Sequence, residues 1–222
     1  MSIGALMPKA VDAGLTRRGA RLPRSQRRAQ LLQAAQEVFV AAGYHAAAMD
    51  DIAARAGVSK PVLYQHFPSK LELYLALLET QTEAIVEAIT AALNRTEDNR
   101  ERLHGVLSAY FDFVSGDGNA TQGAYRLVFE TDLGNDPGVR ERVERAENAI
   151  MRAVADTVEA ETGLDRPYAE LISITLSGAA QVAARWWLAN DRPIPKDVAV
   201  SILEALQWRG LSNFPVQEDR AE

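Results

Sequence analysis

The chain has no cysteine, which excludes a disulfide framework, a thiolate-bound zinc and a cysteine nucleophile, and suits a reducing compartment. Its only histidines are His45, His66 and His104, and none has companions at metal-ligand spacing, so no metal site is expected. No run of about 20 apolar residues is present to span a bilayer, and Met1 to Leu22 lack the apolar stretch of a signal peptide. The chain is therefore expected to be soluble and cytoplasmic, with no membrane partner. There is no Gly-x-Ser-x-Gly elbow and no Gly-rich phosphate loop, so no catalytic residues, no cofactor and no enzymatic activity are expected. Strand-like alternation and internal repeats are also missing, which leaves an all-α fold.

What is present is unevenly distributed. Against a net charge of −6, residues 1–70 hold ten Lys and Arg and four acids, whereas the remainder holds 14 basic and 26 acidic residues. An acidic protein is repelled by a duplex, but a basic head on an acidic body meets an anion with one end only. Residues 1–23 mix Gly, Pro and Arg without apolar periodicity and read as a flexible basic arm. Arg17, Arg18, Arg21 and Arg24 either stay solvated or reach a minor groove beside a docked helix.

From Arg24, Leu31, Leu32, Ala35, Val38 and Phe39 recur at helical spacing, and the helix is expected to stop near Gly43 in the left-handed conformation. A short helix follows from about Met49 to Ala56, then a third from Ser59 to near Phe67, ended by Pro68. A long helix is expected from Ser69 to about Asn94 with Leu71, Tyr74, Leu78, Ile85, Ile89 and Leu93 on one face. Further helices are expected near 98–115, 120–131, 137–162, 166–190 and 196–209, separated by Gly-, Asn- and Pro-rich turns. The domain division is then an arm at 1–23, a DNA-binding head at 24–70 and a helical body at 71–222.

Asp51 to Phe67 meets the requirements of a helix-turn-helix residue by residue. Ile52, Val58 and Leu63 close a small core, Ala53 lets the backbones approach, and Gly57 supplies a positive φ at the turn. Ser59 is placed to cap the next helix, with Pro61 in its first turn. The outward residues of that helix fit a major groove: Gln65 can pair with adenine, Pro61 and Val62 can touch thymine methyls, and Lys60, Tyr64, His66 and Lys70 are expected on phosphates.

At these residues the chain resembles the tetracycline-repressor (TetR) family, whose pattern is met at Ile52-Ala53, Ala56-Gly57-Val58-Ser59, Leu63-Tyr64, His66-Phe67 and Ser69-Lys70. The likeness in order and size extends over 24–222, with motif-level specificity in the first 55 or so residues. One departure is Ala46-Ala47-Ala48, where the family often has a Ser or Thr that caps or contacts phosphate. Further runs, Arg21 to Arg24, Gly43 to Ala47, Lys60 to Phe67, Ser69 to Tyr74 and Tyr125 to Glu130, look like members of the family that regulate fatty-acid synthesis genes. That resemblance implies double-stranded DNA with a palindromic operator as partner, a homodimer, a long-chain acyl-CoA as effector, activation of a fatty-acid synthase operon and release from DNA when the effector binds. A repressor of an efflux or lipid-catabolism gene answering to another small hydrophobic effector is the alternative, since a greasy pocket reads the same in sequence.

In the body, Leu103, Val106, Leu107, Tyr110, Phe111, Phe113 and Val114, with Leu127 and Phe129, form either a plain core or the wall of an apolar channel. Leu171, Ile172, Ile174, Leu176, Gly178, Ala179, Val182, Trp186, Trp187 and Leu188 make a helix too apolar for one exposed face. Some of it, together with Val198, Ile202, Leu203, Leu206 and Trp208, is expected to be covered by another subunit in a four-helix dimer interface, while the large aromatic residues could equally serve a ligand pocket, so Trp186 and Trp187 are assigned no single role. Arg126, Arg145 and Arg185 stand as candidates for CoA phosphates.

Overall fold

The computed structural model describes residues 22–116, 123, 125 and 133–211, and these are entirely helices and connections. The helices are α1 (Arg24–Ala46), α2 (Met49–Arg55), α3 (Lys60–His66), α4 (Lys70–Asn94), α5 (Asn99–Ser115), α6 (Pro137–Thr162), α7 (Arg166–Ala189) and α8 (Lys196–Leu211). The arm and the helix expected at 120–131 lie outside the described residues, apart from Leu22, Pro23, Gly123 and Tyr125.

The head is closed by the apolar stripe of α1, where Leu31, Ala34, Ala35 and Phe39 are buried, against Met49, Ile52, Leu63 and Phe67. Its core continues past residue 70, because Tyr74 of α4 packs edge-on against Phe39 and Tyr44, each 5.2 Å away. The end of α1 departs from expectation. Gly43 has φ 74 and ψ 167, which is not the left-handed helical cap but an extended conformation open to glycine alone, and the chain resumes helical geometry for its last residues. The carbonyls beyond this kink turn toward α4.

Side-chain caps set several of the boundaries. The Ser69 hydroxyl accepts from the Glu72 amide at 3.1 Å, Asp98 accepts from the Arg100 and Glu101 amides, and Asp136 accepts from Gly138 and Val139. Pro137 and Pro167 occupy first turns that need no N–H donor. In the body, α4 packs on α5 and α6, α6 on α7, and α5 on both α7 and α8. The α4 face also buries Leu73, Leu77, Gln81 and Thr82, whereas Leu71 is only half-buried.

Two contacts brace α4 and the head against the rest of the body. Arg142 and Arg145 of α6 pair with Glu79 of α4 at 2.9 and 3.1 Å. Gly123, at φ 84, lies directly on Val40 of α1. A Cβ there would stand 2.6 Å from both Val40 methyls, so neither the backbone nor the space admits a side chain.

Candidate nucleic-acid interface and effector cavity

The reading head is assembled from very short helices. Asp50 and Asp51 sit in the first turn of α2, where carboxylates favour the positive helix end, and Arg55 at its last turn pairs with Glu37 of α1. The following turn is tied by Gly57 N–H to the Ala54 carbonyl and Val58 N–H to the Ala53 carbonyl, with Gly57 at φ 64. Ser59 occupies the N-cap of α3, but its hydroxyl makes no capping bond; the Ser59 carbonyl accepts from Val62 and Leu63 instead. Likewise Ala48 begins α2 without a side-chain cap. Burial of Leu63 and Phe67 fixes the register of α3 and turns Ser59, Lys60, Pro61, Tyr64 and Gln65 to solvent, with Val62 and His66 half-buried.

Electrostatics around α3 refine the residue roles. Lys60 Nζ is 2.8 Å from Asp50, and this hydrogen bond holds the ammonium above its ordinary pKa. Both partners are exposed, so the pair is weak in water and the lysine is easily redirected. His66 is pushed below its usual pKa, first by burial and then by Arg24, Arg28 and Arg27, so at neutral pH it offers a neutral imidazole rather than a cation. Arg28, which the sequence does not single out, stacks over the Phe67 ring at 4.3 Å and reaches the His66 carbonyl.

Lys70 is placed differently from its expected role on a phosphate. Its ammonium donates to the carbonyls of Tyr44, His45 and Ala47 at 2.8, 3.2 and 3.0 Å and lies over the Tyr44 ring. All three of its donors are thereby directed at the kinked end of α1, where the helix dipole favours a cation. It clamps the head to the first turn of α4.

The body contains an apolar cavity of about 320 Å³ at the end remote from α3. Leu103, Val106 and Leu107 of α5 line it as expected, together with Leu93 of α4, Val154 and Val158 of α6, Ile172 and Leu176 of α7 and Trp208 of α8. Tyr110, Phe111, Phe113 and Val114 do not line it. They lie one turn further along α5 and are packed into the core, with Phe111 5.4 Å from the Trp187 ring. Leu127 and Phe129 fall outside the described residues. A polar group closes one side: Arg102 bonds Glu161, the Asn99 side chain and the Thr96 carbonyl, and Asn99 also donates to Glu161. The Arg102 guanidinium holds the Glu161 carboxyl below its ordinary pKa.

Of the arginines considered for a CoA head group, the two within the described residues do not line this cavity. Arg145 is engaged by Glu79 and Glu141, Arg185 is held by a hydrogen bond to Tyr125, and Arg126 is outside the described residues. Among the described residues, no three His, Cys, Asp or Glu are grouped to hold a metal ion, and no helix is long and apolar enough to cross a membrane.

The apolar residues of α7 and α8 separate into two faces. Ile172, Leu176 and Trp208 turn to the cavity, Trp187 and Leu203 are buried, and Trp187 Nε1 donates to the Ile194 carbonyl at 2.8 Å. Leu171, Ile174, Val182, Trp186, Val198, Ile202 and Leu206, joined by Tyr168, remain between 41% and 69% exposed. The sequence pattern merges these faces because the helix is apolar nearly all round.

Comparison with known proteins is consistent across the chain. Residues 31–77 match the family model described as bacterial regulatory proteins, tetR family. The chain is 51% identical over 204 residues to the HTH-type transcriptional activator FasR of Mycolicibacterium smegmatis, covering 92% of this chain and 91% of that protein. A TetR-like transcriptional regulator from Rhodococcus has 33% identity and a TM-score of 0.68, covering 87% of this chain and all of that one. The transcriptional regulator FadR from Bacillus subtilis, in complex with stearoyl-CoA, shares the fold at a TM-score of 0.66 and 19% identity, over 81% of this chain and 96% of that one.

Proposed function

The chain belongs to the tetR family of bacterial transcription regulators, and from that premise we propose that it activates fatty-acid synthesis genes and leaves its operator when a long-chain acyl-CoA binds the body. The observation that carries this reading is the joining, in one chain, of an exposed recognition helix to an apolar cavity at the opposite end of α4. The identity of half the residues with an activator named FasR supports the fatty-acid assignment. The stearoyl-CoA complex of a regulator with this fold shows that such a fold can accommodate an acyl-CoA in that protein.

In this reading residues 24–70 read DNA and 71–222 sense the effector and dimerise. Gln65, Pro61 and Val62 meet base edges, while Ser59, Lys60, Tyr64 and His66 set the register on the backbone. The exposed faces of α7 and α8 join two protomers, placing two recognition helices about 34–36 Å apart over a palindromic site. The effector acts by binding one arrangement of the body better than the other; moving a 99:1 balance to 1:99 takes roughly a 10⁴-fold preference.

The alternative, a repressor of an efflux or lipid-catabolism gene with another hydrophobic effector, draws on one observation: the cavity's arginine is already paired with Glu161 and awaits no phosphate. One experiment separates the two. Binding to a fatty-acid synthase promoter fragment and to a scrambled fragment is measured at one fixed salt concentration, with and without hexadecanoyl-CoA. Selective binding abolished by the acyl-CoA is expected; equal binding to scrambled DNA, or no response to the acyl-CoA, overturns the proposal.

A further inference from the structure

Gln207 of α8 is more than nine-tenths buried and lines the distal cavity. Its Nε2 donates to the Leu176 carbonyl at 3.2 Å. That bond fixes which end of the amide is which, because the carbonyl can only accept and a flipped amide would set oxygen against oxygen. The Gln207 Oε1 is left with no hydrogen-bond partner among the described residues. Of the other polar side chains that line it, the Thr157 and Thr162 hydroxyls donate to carbonyls of their own helix, Arg102 and Glu161 neutralise each other with Asn99 bonded to both, and Ser177 adds a half-buried hydroxyl without charge.

The cavity thus presents apolar walls, no unbalanced charge, and a buried acceptor held in one orientation. A carboxylate or phosphate brings acceptors alone and would meet that oxygen unfavourably. A wholly apolar occupant would cover it without replacing a hydrogen bond. An occupant with a hydroxyl satisfies it. We propose that this cavity selects an uncharged aliphatic ligand group bearing a hydroxyl, which donates to Gln207 Oε1. The proposal deepens and rests on the reading of the cavity as the effector site, and within it Gln207 is a specificity-determining residue that favours a hydroxylated chain over a plain one.

Calorimetric titration of the full chain with decanol, its isomer nonyl methyl ether and decanoate tests this directly. The ether has the same atoms and accepts but cannot donate; in a purely apolar cavity it binds at least as well as the alcohol, because it gives up fewer hydrogen bonds to water. The wild-type protein is expected to prefer decanol about tenfold over the ether, corresponding to about 1.4 kcal/mol, and to bind decanoate more weakly than decanol. Gln207→Leu and Gln207→Met are prepared together, and the comparison is read in whichever retains ether binding; there the alcohol preference is expected to fall to about unity. A wild-type preference at or below unity, or one that survives removal of the amide, overturns the proposal. Hexadecanoyl-CoA titrated against the DNA complex in parallel addresses the acyl-CoA reading alone. Its failure beside an intact alcohol preference removes that reading and leaves this one.

Discussion

Replacing Lys70 by Met distinguishes a clamp from a DNA contact, two roles that the sequence motif leaves superimposed. The substitution keeps much of the side-chain volume but removes three N–H donors from the carbonyls of Tyr44, His45 and Ala47. Hydrogen bonds from a charged donor contribute about 1.5–3 kcal/mol where they are shielded, and a cation at a helix C-terminus adds about 0.3–1 kcal/mol. Lys70 is half-buried, so water recovers part of both; the net loss is expected to be about 1–2 kcal/mol, roughly 3–6 °C in Tm for a chain of this size. Thermal and urea unfolding measure that loss. DNA binding measured across a salt series supplies the second readout. Loss of a phosphate contact lowers the slope of log K against log salt by about 0.9 per contact, whereas loss of a clamp leaves the slope intact. Unchanged stability together with a reduced slope would refute the assignment of Lys70 as a clamp.

Other perturbations follow from the same geometry. Gln65→Ala should cost about 1–3 kcal/mol at one cognate base pair and relax specificity there; equal losses on cognate and random DNA in a gel-shift series would make it a positioning residue. Gly123→Ala drives a methyl into Val40 from a positive φ, and should destabilise the protein by about 1–3 kcal/mol; Val40→Ala in the same chain should recover the steric part only. Glu161→Gln removes the charge facing Arg102, with an expected cost near 1–2 kcal/mol because the carboxylate is partly solvated. The depressed Glu161 pKa stabilises the fold above the unfolded-state value of about 4.3, and that stabilisation is lost as pH falls through the lower folded-state value. The difference between wild type and Glu161→Gln should therefore shrink in acid unfolding experiments and be full at neutral pH. Leu206→Asp, on the exposed α8 face, should convert a dimer to monomers in sedimentation without loss of helicity, and weaken operator binding.

The parts of the molecule legible in the sequence are those whose signals are local. Helix boundaries from α2 onward carry Pro, Gly and capping acids within a few residues of each end, and the helix-turn-helix states its own register through Leu63 and Phe67. The roles that escape are set by distant partners. A lysine after a recognition helix looks the same whether it meets a phosphate or the carbonyls of a helix more than 20 residues earlier. Ser59 and Ser69 are equally good caps by composition, yet only Ser69 makes the side-chain bond. On α5 the apolar residues are continuous, so nothing local separates Leu103, Val106 and Leu107, which border space, from Phe111 and Val114, which fill it. Gln207 and Gln81 carry no pattern at all, because a glutamine on an inner helix face reads as an ordinary surface residue until its neighbours are placed.

The α4 helix gives the position of the cavity a mechanical meaning. Leu93 borders the cavity and Lys70 grips the head, 23 residues apart on one continuous helix, or about 35 Å at 1.5 Å per residue. An effector in the cavity and an operator at the head would thus be too far apart to touch, and under the proposed function the helix would act as a seesaw beam, its fulcrum near Glu79, where α6 takes hold through Arg142 and Arg145. The arm toward the cavity, 14 residues to Leu93, is longer than the 9 residues to Lys70, so a tilt of ~1.5 Å at the cavity end returns about 1 Å at the head, in the range by which helices shift in switching proteins. A pair of such beams, facing across a two-fold axis, would add their swings in the separation of the two reading heads.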